Sequence, residues 1–134
     1  NAPTGLLLSL ADIRKLASEH PNATIVIDEA YIDFSNKESW LNELKEYPNL
    51  VITQTLSKAF GMAGIRLGIC YASVEIIQIL NKIKSPYNVN ELTQLRALDR
   101  VRNKDEVDSE IADLLKQRTV LGEALVEVNF IENI

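Results

Sequence analysis

Val51 to Gly68 reads VITQTLSKAFGMAGIRLG. An apolar run with polar residues at the alternate positions Thr53, Thr55 and Ser57 reads as a strand. The strand opens into small residues and hydroxyls: Ser57, then Lys58, then the glycines Gly61 and Gly64, with Arg66 eight positions beyond the lysine. A turn that gathers hydroxyls, one lysine and one arginine can grip a phosphate and leave an amine free to attack a carbonyl.

On either side of this stretch, strands and helices alternate. Leu50 to Thr55 is the strand before the turn and Leu67 to Tyr71 the one after it. Thr24 to Ile27 is a short β-branched run that predicts a strand buried on both faces, with Asp28 at its carboxyl end. Ligand crevices of open α/β sheets lie at that end of the strands. Ser9 with Asp12 reads as a helix N-cap and its acidic third position, followed by Leu10, Ile13, Leu16 and Ala17 at helical spacing. Trp40 to Tyr47 is a weaker helical piece stopped by Pro48. Ser73 caps a helix ending near Ser85-Pro86, and Asn90 caps another through Leu92, Leu95 and Leu98. A long helix spans about Lys104 to Leu125, with Val107, Ile111, Leu114, Leu115, Leu121 and Leu125 as its apolar stripe. Alternating elements imply an α/β fold, with a mostly parallel sheet flanked by helices.

Composition narrows the function classes. Of 134 residues, 46% are hydrophobic, ordinary for a packed core. A formal charge of −5 argues against a general nucleic-acid surface, which needs Lys and Arg in local excess. The one cysteine, Cys70, excludes an internal disulfide and a cysteine-rich metal site, and its apolar neighbours predict a buried thiol. His20, the only histidine, sits at a helix end and offers no metal site. No apolar run is long enough to span a membrane, so no membrane partner is expected and the default compartment is the cytoplasm. Asn1 opens inside a motif and Ile134 stops as an extended segment begins, so the chain reads as a piece of a longer enzyme.

Three ordered blocks carry a family resemblance: N-A-P-T-G at Asn1 to Gly5, V-I-D-E-A-Y at Val26 to Tyr31, and T-L-S-K-A-F-G-M-A-G-I-R-L-G at Thr55 to Gly68. Together they resemble fold type I pyridoxal-phosphate enzymes of the aspartate-aminotransferase type, in an order and spacing most like the histidinol-phosphate aminotransferase branch. The resemblance implies part of a large cofactor-binding domain at 1–103, a long interdomain helix at 104–125 and the start of a small domain at 126–134. It implies pyridoxal 5′-phosphate as cofactor, attached to Lys58, the catalytic residue that also shuttles the α-proton. Asp28 would face the pyridine nitrogen and keep it protonated, and Tyr31 would bond the ring's phenolic oxygen. Thr55, Ser57 and Arg66 match phosphate-contacting positions. Relatives bond the phenolic oxygen with an asparagine directly before P-T-G; this chain has Ala2 there, so Asn1 takes over or the contact is absent.

The implied activity of the whole enzyme is amino transfer between histidinol phosphate and 2-oxoglutarate, giving glutamate, in a homodimer. Decarboxylases of phosphorylated amino acids share the blocks and stand as an alternative. So does a catalytically silent α/β core. A nucleotide-binding module has less support, since neither G-x-G-x-x-G nor G-x-x-x-x-G-K-[ST] is present.

Overall fold

The computed structural model describes residues 5–129. Helix α1 (Leu10–Glu19) leads into strand β1 (Ile25–Asp28), then two 3₁₀ turns at Ile32–Phe34 and Trp40–Glu43 precede strand β2 (Leu50–Thr55). Strand β3 (Gly68–Ala72) and helices α2 (Val74–Ile83), α3 (Glu91–Arg102) and α4 (Lys104–Val126) follow. The sheet order is β1-β2-β3.

Local chemistry accounts for the helix starts. The Ser9 hydroxyl accepts from the Asp12 amide, Ser73 from Ile76 and Asn90 from Thr93, each satisfying a donor that the first helical turn leaves unpaired. In the Trp40 to Tyr47 segment only Trp40–Glu43 closes as a 3₁₀ turn, capped by Ser39, and Leu41, Leu44 and Tyr47 pack against the core beside Trp40.

The sheet is mixed. β1 and β2 are parallel, with Ile27 opposite Ile52, whereas β2 and β3 are antiparallel, with Thr55 opposite Gly68. The reason is the connection: residues 56–67 hold only a 3₁₀ turn at Ala63–Ile65 and fold straight back, and a parallel return would need a crossover, usually through a helix that this loop does not form.

One sheet face carries the main core. Ile13 and Ala17 of α1 and Trp40 pack on Leu50 and Ile52, with Ile25, Ile27 and Tyr71 beside them. The opposite face is more open: Val26 is 62% exposed and Cys70 is also exposed. The expectations of a doubly buried β1 and a buried thiol are therefore corrected. Alternate strand residues point to opposite faces, and within residues 5–129 the cover lies over Ile25 and Ile27, leaving Val26 and Cys70 on the other side. A second cluster joins Ala59 of the lysine turn to Val107 and Ile111 of α4, with Phe34, Phe60 and Leu115 around it. Leu114 and Leu121 of the expected α4 stripe remain exposed, as do Leu92, Leu95 and Leu98 of α3.

Candidate active site

The site forms at the carboxyl ends of β1 and β2. Parallel register sets Asp28 opposite Thr53, two residues before Thr55, so both strands deliver polar groups to one edge. Asp28 and Glu29 then part company. Asp28 is exposed, and its Oδ1 accepts from the Ala30 amide at 3.0 Å, an Asx turn that redirects the chain. Glu29 is only 6% exposed. Its Oε1 accepts from the Trp40 amide at 2.7 Å, and its Oε2 from Ser39 Oγ at 2.6 Å and Gln54 Nε2 at 2.9 Å. Glu29 is thus committed to holding the loop after β1 onto β2, and Asp28 is the acid left facing the open edge.

The turn after β1 brings Tyr31 under the lysine. Lys58 Nζ lies 5.2 Å from the Tyr31 ring centroid, within the range where a cation is attracted to an aromatic face. Lys58 itself is exposed, between the buried Leu56 and Ala59. Those two side chains sink into the core and fix the turn, which leaves Ser57 and Lys58 directed outward. The Gly61 amide donates to the Lys58 carbonyl at 2.9 Å and the Met62 amide to the Leu56 carbonyl at 2.9 Å. Gly61 closes this turn at φ +68°, where an L side chain is strained.

Thr55 and Ser57 form a hydroxyl pair, 3.0 Å apart, and the Ser57 amide donates to Thr55 Oγ1 at 3.1 Å. Thr55 Oγ1 also lies 3.3 Å from the Leu67 carbonyl, next to Arg66. Arg66 holds a left-handed backbone, φ 56° and ψ 44°, although it is not glycine. Non-glycine residues kept in that region cluster at ligand sites, where surrounding structure sustains the strain. Its Nη1 donates to the Ala63 carbonyl at 3.0 Å, leaving the rest of the guanidinium fork to other partners.

Asp28, Tyr31, Thr55, Ser57, Lys58 and Arg66 are thus set on the β1 and β2 edge and the loop that follows. Asn1 lies outside the described residues. Glu29 is the second acid of the V-I-D-E-A-Y block, and its anchoring role has no sequence signal beyond its place directly after Asp28. His20 only closes α1, its amide donating to the Leu16 carbonyl at 3.2 Å. Among the described residues, no group of three His, Cys, Asp or Glu side chains could hold a metal ion. No helix among them is long and apolar enough to cross a membrane.

As a donor set, two hydroxyls and a guanidinium suit a dianionic phosphate. An exposed amine suits a carbonyl carbon, and an exposed carboxylate at the strand end suits a protonated ring nitrogen. The model of the family described as aminotransferase class I and II matches residues 1–133. The chain belongs to the class I and II aminotransferases. This aminotransferase chain is 60% identical to a histidinol-phosphate aminotransferase of Flavobacterium johnsoniae, over all of its own length and 38% of that protein. The solved histidinol-phosphate aminotransferase from Clostridium acetobutylicum matches 99% of it with a TM-score of 0.90 at 27% identity, covering 41% of that structure. L-threonine-O-3-phosphate decarboxylase from Porphyromonas gingivalis matches 69% of it with a TM-score of 0.64 at 32% identity, covering 29% of that structure. The aminotransferase chain spans about two fifths of the curated relative and of the first of these structures.

Proposed function

We propose that the protein bearing this chain is a pyridoxal-phosphate-dependent aminotransferase that moves an amino group between histidinol phosphate and 2-oxoglutarate. The observation that carries the cofactor assignment is the Lys58 turn: an exposed amine between the Thr55–Ser57 hydroxyl pair and the left-handed Arg66. When bound, pyridoxal phosphate supplies an aldehyde for attack by an amine and a ring that accepts electron density from the substrate α-carbon.

The chain's own residues then divide the work. Thr55, Ser57 and Arg66 bind the phosphate dianion, the two hydroxyls as adaptable donors and the guanidinium as a planar fork. Asp28 holds the ring nitrogen in its protonated form by direct charge pairing. Tyr31, whose ring lies beside Lys58 Nζ, would offer its hydroxyl to the ring oxygen. Lys58 Nζ would be the attachment point for the aldehyde and the amine able to hold the proton from the substrate α-carbon. Asn1 is assigned to the same ring oxygen as Tyr31.

Histidinol phosphate is preferred as substrate because the 60% identical relative bears that name across the whole of this chain. We assign residues 1–103 to the large cofactor domain, 104–125 to an interdomain helix and 126–134 to the start of a smaller domain. On the same resemblance the enzyme is a homodimer of the cytoplasm. A second reading, decarboxylation of a phosphorylated amino acid, draws on the 32% identity to the threonine-phosphate decarboxylase.

The test is to supply the full-length protein with pyridoxal phosphate and 2-oxoglutarate and offer histidinol phosphate, aspartate, aromatic amino acids and O-phosphothreonine in turn. Glutamate formed fastest from histidinol phosphate is the expected result. Release of carbon dioxide from O-phosphothreonine without glutamate would move the assignment to the decarboxylase reading.

A further inference from the structure

The lysine turn is held from behind by residues that contact nothing in the proposed cofactor site. Arg100, near the end of α3, is largely buried, its side chain 17% exposed. Its Nε donates to the Phe60 carbonyl at 3.0 Å, two residues after Lys58. Its Nη1 lies 3.1 Å from Glu106 Oε2, and its Nη2 pairs with Glu110 Oε2 on α4. Two turns earlier on the same face of α3, Thr93 Oγ1 reaches the Ile65 carbonyl at 3.4 Å, directly before Arg66. Ala97 lies between them and is buried. The face Thr93, Ala97 and Arg100 therefore grips the lysine loop at two carbonyls, one beside Lys58 and one beside Arg66.

We propose that Arg100, oriented by Glu106 and Glu110 and bonded to the Phe60 carbonyl, is a positioning residue for the Lys58 amine, with Thr93 as the second point of the brace. The proposal rests on the reading of Lys58 as the cofactor-attaching amine.

Three features single out arginine for this task. The guanidinium is planar with donors in fixed directions, so meeting a carbonyl and two carboxylates at once fixes the side chain in one orientation. Glu106 and Glu110 are 64% and 49% exposed, so their attraction is screened by water and acts mainly on orientation. Finally, Gly61 turns left-handed immediately after Phe60, so the carbonyl that Arg100 holds sits at the hinge of the turn whose shape aims Lys58. Ala59, clustered with Val107 and Ile111, ties the same turn to α4 at the residues that directly follow the two acidic ones. A small displacement at Phe60 moves Lys58 Nζ off its target, and a misplaced catalytic group slows the chemical step more than it weakens binding.

The experiment uses the full-length protein and Arg100→Lys, which keeps the positive charge beside Glu106 and Glu110 and loses the fixed Nε–H. Hydrogen exchange is followed without cofactor in the peptide spanning residues 57–65, with residues 50–55 of β2 as internal control. The expected result is exchange about tenfold faster at Gly61 and Met62, the shift that loss of one hydrogen bond gives, with β2 unchanged. In the loaded enzyme kcat should fall about tenfold while KM for the amino donor stays within about twofold. Unchanged exchange at Gly61 and Met62, or equal loosening of β2, overturns the proposal. So does an equal loss shared between kcat and KM. Should Arg100→Lys fail to fold, Glu110→Gln reads the same amides, with about threefold faster exchange expected and wild-type rates overturning the brace. Exchange is read without cofactor, so a flat result strikes the brace alone, whereas a wild-type enzyme that attaches no cofactor at Lys58 strikes the cofactor reading alone.

Discussion

Replacing Glu29 by alanine strands three donors at once. The Trp40 amide, the Ser39 hydroxyl and the Gln54 side-chain amide all end on this one carboxylate, at 2.7, 2.6 and 2.9 Å. A hydrogen bond to a charged acceptor contributes about 1.5–3 kcal/mol, and a buried donor left unpaired costs about 1–3 kcal/mol. The three losses are not independent. Gln54 Nε2 already lies 3.4 Å from Ser39 Oγ, so those two can satisfy each other, and the removed carboxylate no longer has to be held out of water. The donor with no substitute is the Trp40 amide, whose residue is 5% exposed. We expect Glu29→Ala to weaken local closure of the loop after β1 by about 3 kcal/mol, or about a hundredfold in the protection of the Trp40 amide from hydrogen exchange. Glu29→Gln keeps one carbonyl oxygen for Trp40 but turns an amide toward Gln54, so about tenfold is expected there. Exchange measured by peptide mass spectrometry over residues 39–42 of the intact protein tests both. Protection lost by less than about threefold in Glu29→Ala would show that the carboxylate does not anchor the loop, and the separation of Asp28 from Glu29 would lose its physical basis.

Further outcomes follow from neighbouring groups. Arg66→Lys can keep the left-handed backbone as well as arginine does but loses the planar fork, so affinity for pyridoxal phosphate should fall about 10- to 100-fold in a titration of the apo-protein, with unfolding little changed. Burial pushes the Asp33 carboxyl above its ordinary range, opposed by its own backbone amide and by Lys104. The folded state therefore binds that proton more tightly than the unfolded chain, and stability falls as the pH rises through the raised value. Asp33→Asn should accordingly be more stable than the wild type at pH 7 in thermal unfolding, with the gap closing as the pH drops through the carboxylate range; a gap that widens toward acid contradicts this.

The sequence made the elements legible wherever a local signal existed. Ser9, Ser73 and Asn90 each cap the helix their position announced, and β2 runs from Leu50 to Thr55, the bounds expected of the run before the lysine turn. Directions and surroundings were less legible, because they depend on what packs where. The antiparallel β3 follows from a helix-free loop whose length alone did not exclude a crossover. Cys70 looks buried by its neighbours but falls on the face opposite Tyr71, a distinction of one residue in register. On α3, the leucines that mark an apolar stripe stay exposed, while Thr93 and Arg100 bond to the lysine loop and Ala97 is buried. At the site, the described candidate residues lie along one edge, but the roles of Glu29, inside the V-I-D-E-A-Y block, and of Arg100, outside every block, emerge only from the atoms they hold.

The central claim is that Lys58 is the amine to which the cofactor attaches. Treating the protein with pyridoxal phosphate, reducing with borohydride and mapping the modified lysine by peptide mass spectrometry tests it most directly. The account predicts a pyridoxyl group on Lys58, absent in Lys58→Ala. Modification scattered over other lysines of the full-length enzyme, with Lys58 unlabelled, would contradict it.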